Sequence, residues 1–129
     1  MPYTIDADTA GFFEAAREGH LVVRSCSDCG ANLHPPRQYC RHCGGWNTRW
    51  RKLTGRATLV TWTIVEQQML PTFEVPYTVV LVEPDDAPGV RFVGSLPGRV
   101  ESLQAGMAMA VTFETVGDGV VLPQWSPTE

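Results

Sequence analysis

From Gly55 onward, apolar and polar residues alternate in runs bounded by turn residues, the period-two pattern of half-buried strands. Five such runs occupy residues 56–68, 75–84, 89–96, 107–116 and 119–125. Pro84, Asp85, Asp86, Pro88 and Gly89 predict a surface turn after the second run. Gly117-Asp118-Gly119 predicts a tight hairpin between the last two. Five strands with turn signals between them and little helix predict a small barrel, and the five-stranded OB type is the economical choice. Residues 103–106 provide a short connector before the fourth strand.

The first 53 residues follow a different pattern. Phe12, Phe13 and Ala16 make a short apolar face over 8–18, where Asp8 or Thr9 can cap a helix and Gly19 can end it. A helix this short must dock on something to be stable. Residues 21–25, LVVRS, and 46–53, WNTRWRKL, predict strands, while Pro35-Pro36 forbids a regular helix between them. The expected architecture is mainly β: an N-terminal helical segment over 1–20, a cysteine-bearing ribbon over 21–53 and a barrel over 54–129.

Composition narrows the function. No apolar run of the 129 residues approaches the ~20 that a membrane helix needs, and the N-terminus lacks a basic start followed by an apolar stretch. A soluble cytoplasmic protein with no membrane partner is expected. The net charge of −4 argues against nucleic acid as the main partner. Charge placement adds more. Arg37, Arg41, Arg49, Arg51, Lys52 and Arg56 are six of the ten basic residues, and no Asp or Glu lies between Asp28 and Glu66. This basic island is either a solvated surface or a site for a phosphorylated ligand or an acidic partner.

All the cysteines fall in CSDCGANLHPPRQYCRHCG, residues 26–44. Cys26, Cys29, Cys40 and Cys43 form two Cys-x-x-Cys pairs, each followed by a glycine (Gly30, Gly44) where a knuckle turn favours positive φ. Four thiolates in a tetrahedral array suit zinc, with rubredoxin-like iron as the alternative. Such a site has no open coordination position, so its metal is structural. His34 and His42 lie nearby in sequence and are expected to be exposed or to sit behind the ligands. With the thiols committed to metal, no catalytic constellation is evident. His20, His34 and His42 belong to no nucleophile motif, and the chain has no Gly-x-Ser-x-Gly elbow or Gly-rich phosphate loop.

A helix, then CSDCG, HPPRQYCRHCG, GRATLVTWTIV, VPYTVVLVE and VGDGVVLPQWSP strongly resemble the DUF35 family from about Phe12 to Pro127. HPPR and the terminal GDG…LP make the match specific. The resemblance implies a rubredoxin-like zinc ribbon joined to an OB-fold, in a non-catalytic accessory subunit of a thiolase-superfamily enzyme acting on acyl-CoA. The favoured expectation is the partner of a lipid-transfer-protein-type thiolase homologue, in an aldolase that cleaves a β-hydroxyacyl-CoA during steroid side-chain degradation. The alternative is a CoA-binding bridge between thiolase and hydroxymethylglutaryl-CoA synthase. A dimeric partner would make a heterotetramer natural.

Within that reading the basic island gains a role, since arginine grips phosphate groups bidentately. Arg37, Arg49, Arg51 and Arg56 are candidates for CoA or partner contact, with Trp46, Trp50 or Trp62 available to stack on adenine; at least one Trp is expected in the core. The loop EQQMLPTFEVP carries Met69, Leu70 and Phe73, which either dock on a partner or fold back over the barrel mouth. Two other classes remain in view: a single-stranded nucleic-acid binder, which would use aromatics beside arginines, and an iron-bearing electron carrier.

Overall fold

The computed structural model describes residues 5–71 and 73–128, with Asp118 described by its backbone alone. Among the described residues one α-helix, α1 (Ala10–Arg17), precedes eight strands: β1 (Val22–Cys26), β2 (Asn32–Leu33), β3 (Thr48–Lys52), β4 (Arg56–Val65), β5 (Tyr77–Pro84), β6 (Phe92–Pro97), β7 (Ala108–Val116) and β8 (Val120–Pro127), with a short 3-10 turn (Gly117–Gly119) joining the last two. They form two antiparallel sheets, one ordered β2-β1-β3 and the other β6-β5-β4-β7-β8. No helix among the described residues is long and apolar enough to cross a membrane.

Helix α1 ends as its sequence predicts. Gly19 takes φ 82°, its N–H donates to Ala16 O at 3.0 Å, and His20 N–H donates to Ala15 O at 2.9 Å. These paired bonds satisfy the last carbonyls of the helix. The start differs in one detail. Thr9 occupies the cap position, but the carboxylate serving that turn is Asp6, whose Oδ1 accepts from Asp8 N–H at 2.9 Å and Thr9 N–H at 3.1 Å. The helix docks through Gly11, where a Cβ would stand 2.6 Å from Trp50 Cε2 and 2.9 Å from Cδ1. Only a residue without a side chain lets the helix lie so close to the Trp50 ring on β3.

In β4 the inward set changes parity. Ala57 and Leu59 are buried, the register with β5 then shifts between Leu59 and Thr61, and Trp62 packs against the core beyond the shift. The extra residue, Val60, is a β-bulge that turns the second half of the strand onto the same interior. Thr78, Val80 and Val82 line β5, Met109 lies on β7 and Trp125 on β8. Thr78 is a buried polar residue with its hydroxyl satisfied, donating to Gly98 O at 2.8 Å and accepting from Val100 N–H at 3.0 Å.

β6 and β8 are the two edges of the large sheet and meet without a backbone ladder. Gly94 brings them together, since a Cβ there would lie 3.0 Å from Trp125 Cδ1 and 3.4 Å from Trp125 N. A side chain completes the closure. Gln124 Oε1 accepts from Ser95 N–H at 2.8 Å, and Gln124 Nε2 donates to Glu114 Oε2 at 3.2 Å. The five strands therefore form a nearly closed barrel, as the run pattern predicted.

The ribbon and the barrel share one core. Leu21 and Val23 lie in the same buried cluster as Leu59, Val80, Val82 and Trp125, with Phe12 and Leu53 packed against it. A polar tie reinforces this. Arg51 Nη2 donates to Asn32 Oδ1 at 2.9 Å and to Asp86 O at 3.1 Å, while Asp86 Oδ2 accepts from Thr54 N–H at 3.0 Å. The Asp85-Asp86 turn is thus more than a surface bend: Asp85 also accepts from the Thr58 hydroxyl at 3.0 Å.

Candidate functional site

The two knuckles have the same local design. In the first, Gly30 N–H donates to Cys26 O at 2.9 Å and Cys26 N–H to Ala31 O at 2.9 Å. In the second, Gly44 N–H donates to Cys40 O at 2.7 Å and Cys40 N–H to Gly45 O at 2.7 Å. Gly30 and Gly44 take φ 78° and 77°, the left-handed turn expected after each second cysteine. β1 delivers Cys26, and its pairing with β3 brings the second knuckle alongside the first.

The four sulfurs, one from each of Cys26, Cys29, Cys40 and Cys43, all lie within 4.8 Å of one another. Cys26 Sγ is 3.7 Å from Cys43 Sγ, and Cys29 Sγ is 3.5 Å from Cys40 Sγ. Sulfurs held tetrahedrally at about 2.3 Å from a zinc ion stand about 3.8 Å apart, so the quartet fits that ion with little adjustment. The protonation chemistry fits a cation too. Burial raises the Cys40 thiol, but N–H groups of Cys43 and His42 outweigh it and bring Cys40 down to about 7. The N–H of Ala31 lowers Cys29, yet the neighbouring sulfurs, Cys40 first, push it up to about 12. A bound dication would favour the thiolate form of all four.

Neither nearby histidine joins the cluster. His42 is exposed. His34 lies edge-on to Phe92, with ring centroids 4.6 Å apart, and burial lowers its pKa below the ordinary 6.5. Zinc bound here supplies folding energy to a ribbon with little core of its own, namely Cys26, Leu33, Cys40 and the adjoining Ala31.

The remaining sequence candidates scatter. Arg51 is engaged in the ribbon–barrel tie. Arg49 and Arg56 are exposed, on β3 and at the start of β4. Arg37 is exposed, with Asp8 3.7 Å away, and shares a small cleft with Tyr39 and Arg41. Trp50 faces α1 on one side, and the Arg24 guanidinium lies 5.1 Å from its ring centroid. Of the three stacking candidates Trp62 packs against the core, as expected of at least one, and Trp125 is fully buried. The loop after β4 divides: Met69 and Leu70 are exposed, whereas Phe73 turns back, its ring 5.8 Å from Tyr77.

Phe73 and Tyr77 stand at one end of a groove of about 730 Å³ that follows β6 to Phe12, Phe13 and His34 at the other. Residue-type reasoning did not reveal this groove, because its lining comes from α1, the ribbon, the loop after β4 and four barrel strands. The Tyr39–Trp46 pair was missed as well; Trp46 stood out only as one of three stacking candidates.

A four-sulfur ribbon joined through a common core to a nearly closed five-stranded barrel defines a zinc-ribbon–OB-fold protein. Residues 13–47 match the family model for the ChsH2 rubredoxin-like zinc ribbon domain, and residues 50–114 match that for the ChsH2 C-terminal OB-fold domain. The chain belongs to the ChsH2 (DUF35) family. A solved structure titled "Ltp2-ChsH2(DUF35) aldolase" superposes with a TM-score of 0.87 and 29% identity, over 98% of each chain. A DUF35 protein of unknown function from Sulfolobus solfataricus shares the fold, with a TM-score of 0.60 and 20% identity over 79% of this chain and 75% of that one. The "Probable enoyl-CoA hydratase alpha subunit" of Thermomonospora curvata is 31% identical over 124 residues. That match takes in 95% of this chain but only 38% of the relative's length.

Proposed function

We propose that this chain is the non-catalytic accessory subunit of a thiolase-superfamily enzyme acting on acyl-CoA. The reaction we assign is retro-aldol cleavage of a β-hydroxyacyl-CoA in steroid side-chain degradation. The likeness over 98% of both chains to the ChsH2 (DUF35) component named in an aldolase carries this reading. The name of the Thermomonospora curvata relative adds acyl-CoA chemistry to it.

The chemistry of the residues supports a helper's role. A retro-aldol step needs a base to take the β-hydroxyl proton, and it needs donors to hold the enolate left when the Cα–Cβ bond breaks. Among the described residues the four cysteines are gathered as a closed metal set. His34 packs on an aromatic ring instead of pairing with a nucleophile. We assign the base and the enolate donors to the partner. CoA contact through Arg37, Arg49 or Arg56 is part of this proposal, because these side chains remain exposed. Of the three tryptophans available for stacking, Trp62 serves the core and Trp50 the helix, so a nucleic-acid binder would have Trp46 alone to stack with, and this disfavours that reading.

Co-expression with a thiolase-like subunit, followed by size-exclusion chromatography and metal analysis, tests the reading. The expected product is a stable two-plus-two complex with one zinc per copy of this chain. Separate elution of the two chains at micromolar concentration would remove the accessory role.

A further inference from the structure

The second knuckle carries a feature that metal binding does not require. Tyr39 and Trp46 flank it, one on each side of the Cys40 N–H to Gly45 O bond. Their rings meet at 5.6 Å, tilted by 42°. Trp46 is 74% exposed and Tyr39 45%, and neither belongs to a buried cluster. Arg37 and Arg41 share a cleft with Tyr39, and both are exposed. Exposed aromatics set beside arginines are the composition of an interface hot spot rather than of a resting surface.

We propose that Tyr39, Trp46, Arg37 and Arg41 form the anchor by which this chain docks on an acidic surface of its thiolase-like partner subunit. The proposal rests on the accessory-subunit reading above. Charge complementarity selects the partner face. Arg41 is exposed and forms no ion pair among the described residues, Arg37 has only the 3.7 Å contact with Asp8, and Asp28 is held by Asn47 Nδ2 at 3.3 Å, so Arg41 leads the charge that an acidic face would meet. A protein surface is favoured over nucleic acid because the two rings lean on each other and the cleft offers two arginines. Tracking a phosphate backbone takes a longer basic groove with separate stacking faces.

The test measures the affinity of the full-length, zinc-loaded chain for the co-expressed thiolase-like subunit at two salt concentrations. Trp46→Ala should weaken binding about thirtyfold, the size of a hot-spot loss. Arg41→Glu should weaken it further and flatten its salt dependence. Trp46→Phe should retain most of the affinity. Zinc content and melting temperature should stay at wild-type values in all three, because these side chains support no core. Wild-type affinity in both Trp46→Ala and Arg41→Glu would overturn the anchor while leaving the accessory role standing. Failure of the wild-type chain to bind would overturn both. Single-stranded DNA binding that disappears with Trp46→Ala would reassign the patch to nucleic acid and overturn the proposal.

Discussion

Replacing Gly11 by alanine sets two physical effects against each other. Alanine favours a helix over glycine by up to about 1 kcal/mol, so propensity alone predicts a more stable protein. The packing predicts the reverse. The new Cβ would lie 2.6 Å from Trp50 Cε2 and 2.9 Å from Cδ1, so the indole must move by roughly 1 Å to regain ordinary contact. It is not free to do so at no cost, because the Arg24 guanidinium lies 5.1 Å from the ring centroid. Overpacking of this kind costs about 1–3 kcal/mol, and a cation–π contact between half-buried groups is worth about 1 kcal/mol. The expected net effect is a loss of about 1–2 kcal/mol, or a melting temperature lower by roughly 4–8 °C in a domain of this size. Urea unfolding of Gly11→Ala in the wild-type and Trp50→Ala backgrounds isolates the cause. In the second background the clash partner is gone, and the substitution should become neutral or stabilising. A Gly11→Ala protein more stable than wild type, or an equal loss in both backgrounds, would refute the docking of α1 on Trp50.

Three further outcomes follow from the site and the seam. Cys40→Ser should lose the bound zinc and expose the segment 26–47 to protease, read by metal analysis and limited proteolysis. Gln124→Ala should cost about 1 kcal/mol in urea unfolding, because Ser95 N–H loses the acceptor that bridges β6 and β8. His34→Gln should change the pH dependence of stability. Burial lowers the folded-state pKa of His34 below 6.5, so the unfolded chain binds the proton first as the pH falls. The wild type should therefore lose stability from about pH 6.5 downward until the folded-state pKa is passed, with no contribution above that window. The variant should lack this part of the decline.

Much of the fold was legible because its signals are local. Alternation marked five barrel strands, and paired Cys-x-x-Cys-Gly segments marked the knuckles. Gly19 ended the helix where expected. What escaped depends on contacts distant in sequence. The two-residue β2 has no periodicity to detect, and the bulge at Val60 reveals itself only as a change of parity when the partner strand is present. Asp6 serves the helix start from outside the apolar pattern that located it. Arg51 looked like any member of a basic island until its bonds to Asn32 and Asp86 placed it inside the joint between ribbon and barrel. In the loop after β4 the residues part: Phe73 turns back onto Tyr77, while Met69 and Leu70 are exposed. Tyr39 and Trp46 are seven positions apart, and only the knuckle fold brings their rings together.

The most direct test of the accessory role is a reconstitution. A β-hydroxyacyl-CoA with a steroid side chain is incubated with the thiolase-like subunit alone, with this chain alone, and with both, and release of the shortened acyl-CoA is followed by chromatography. The account predicts product only, or far faster, when both chains are present, and none from this chain alone. Cleavage by this chain without a partner, or full activity of the partner without this chain, would contradict it.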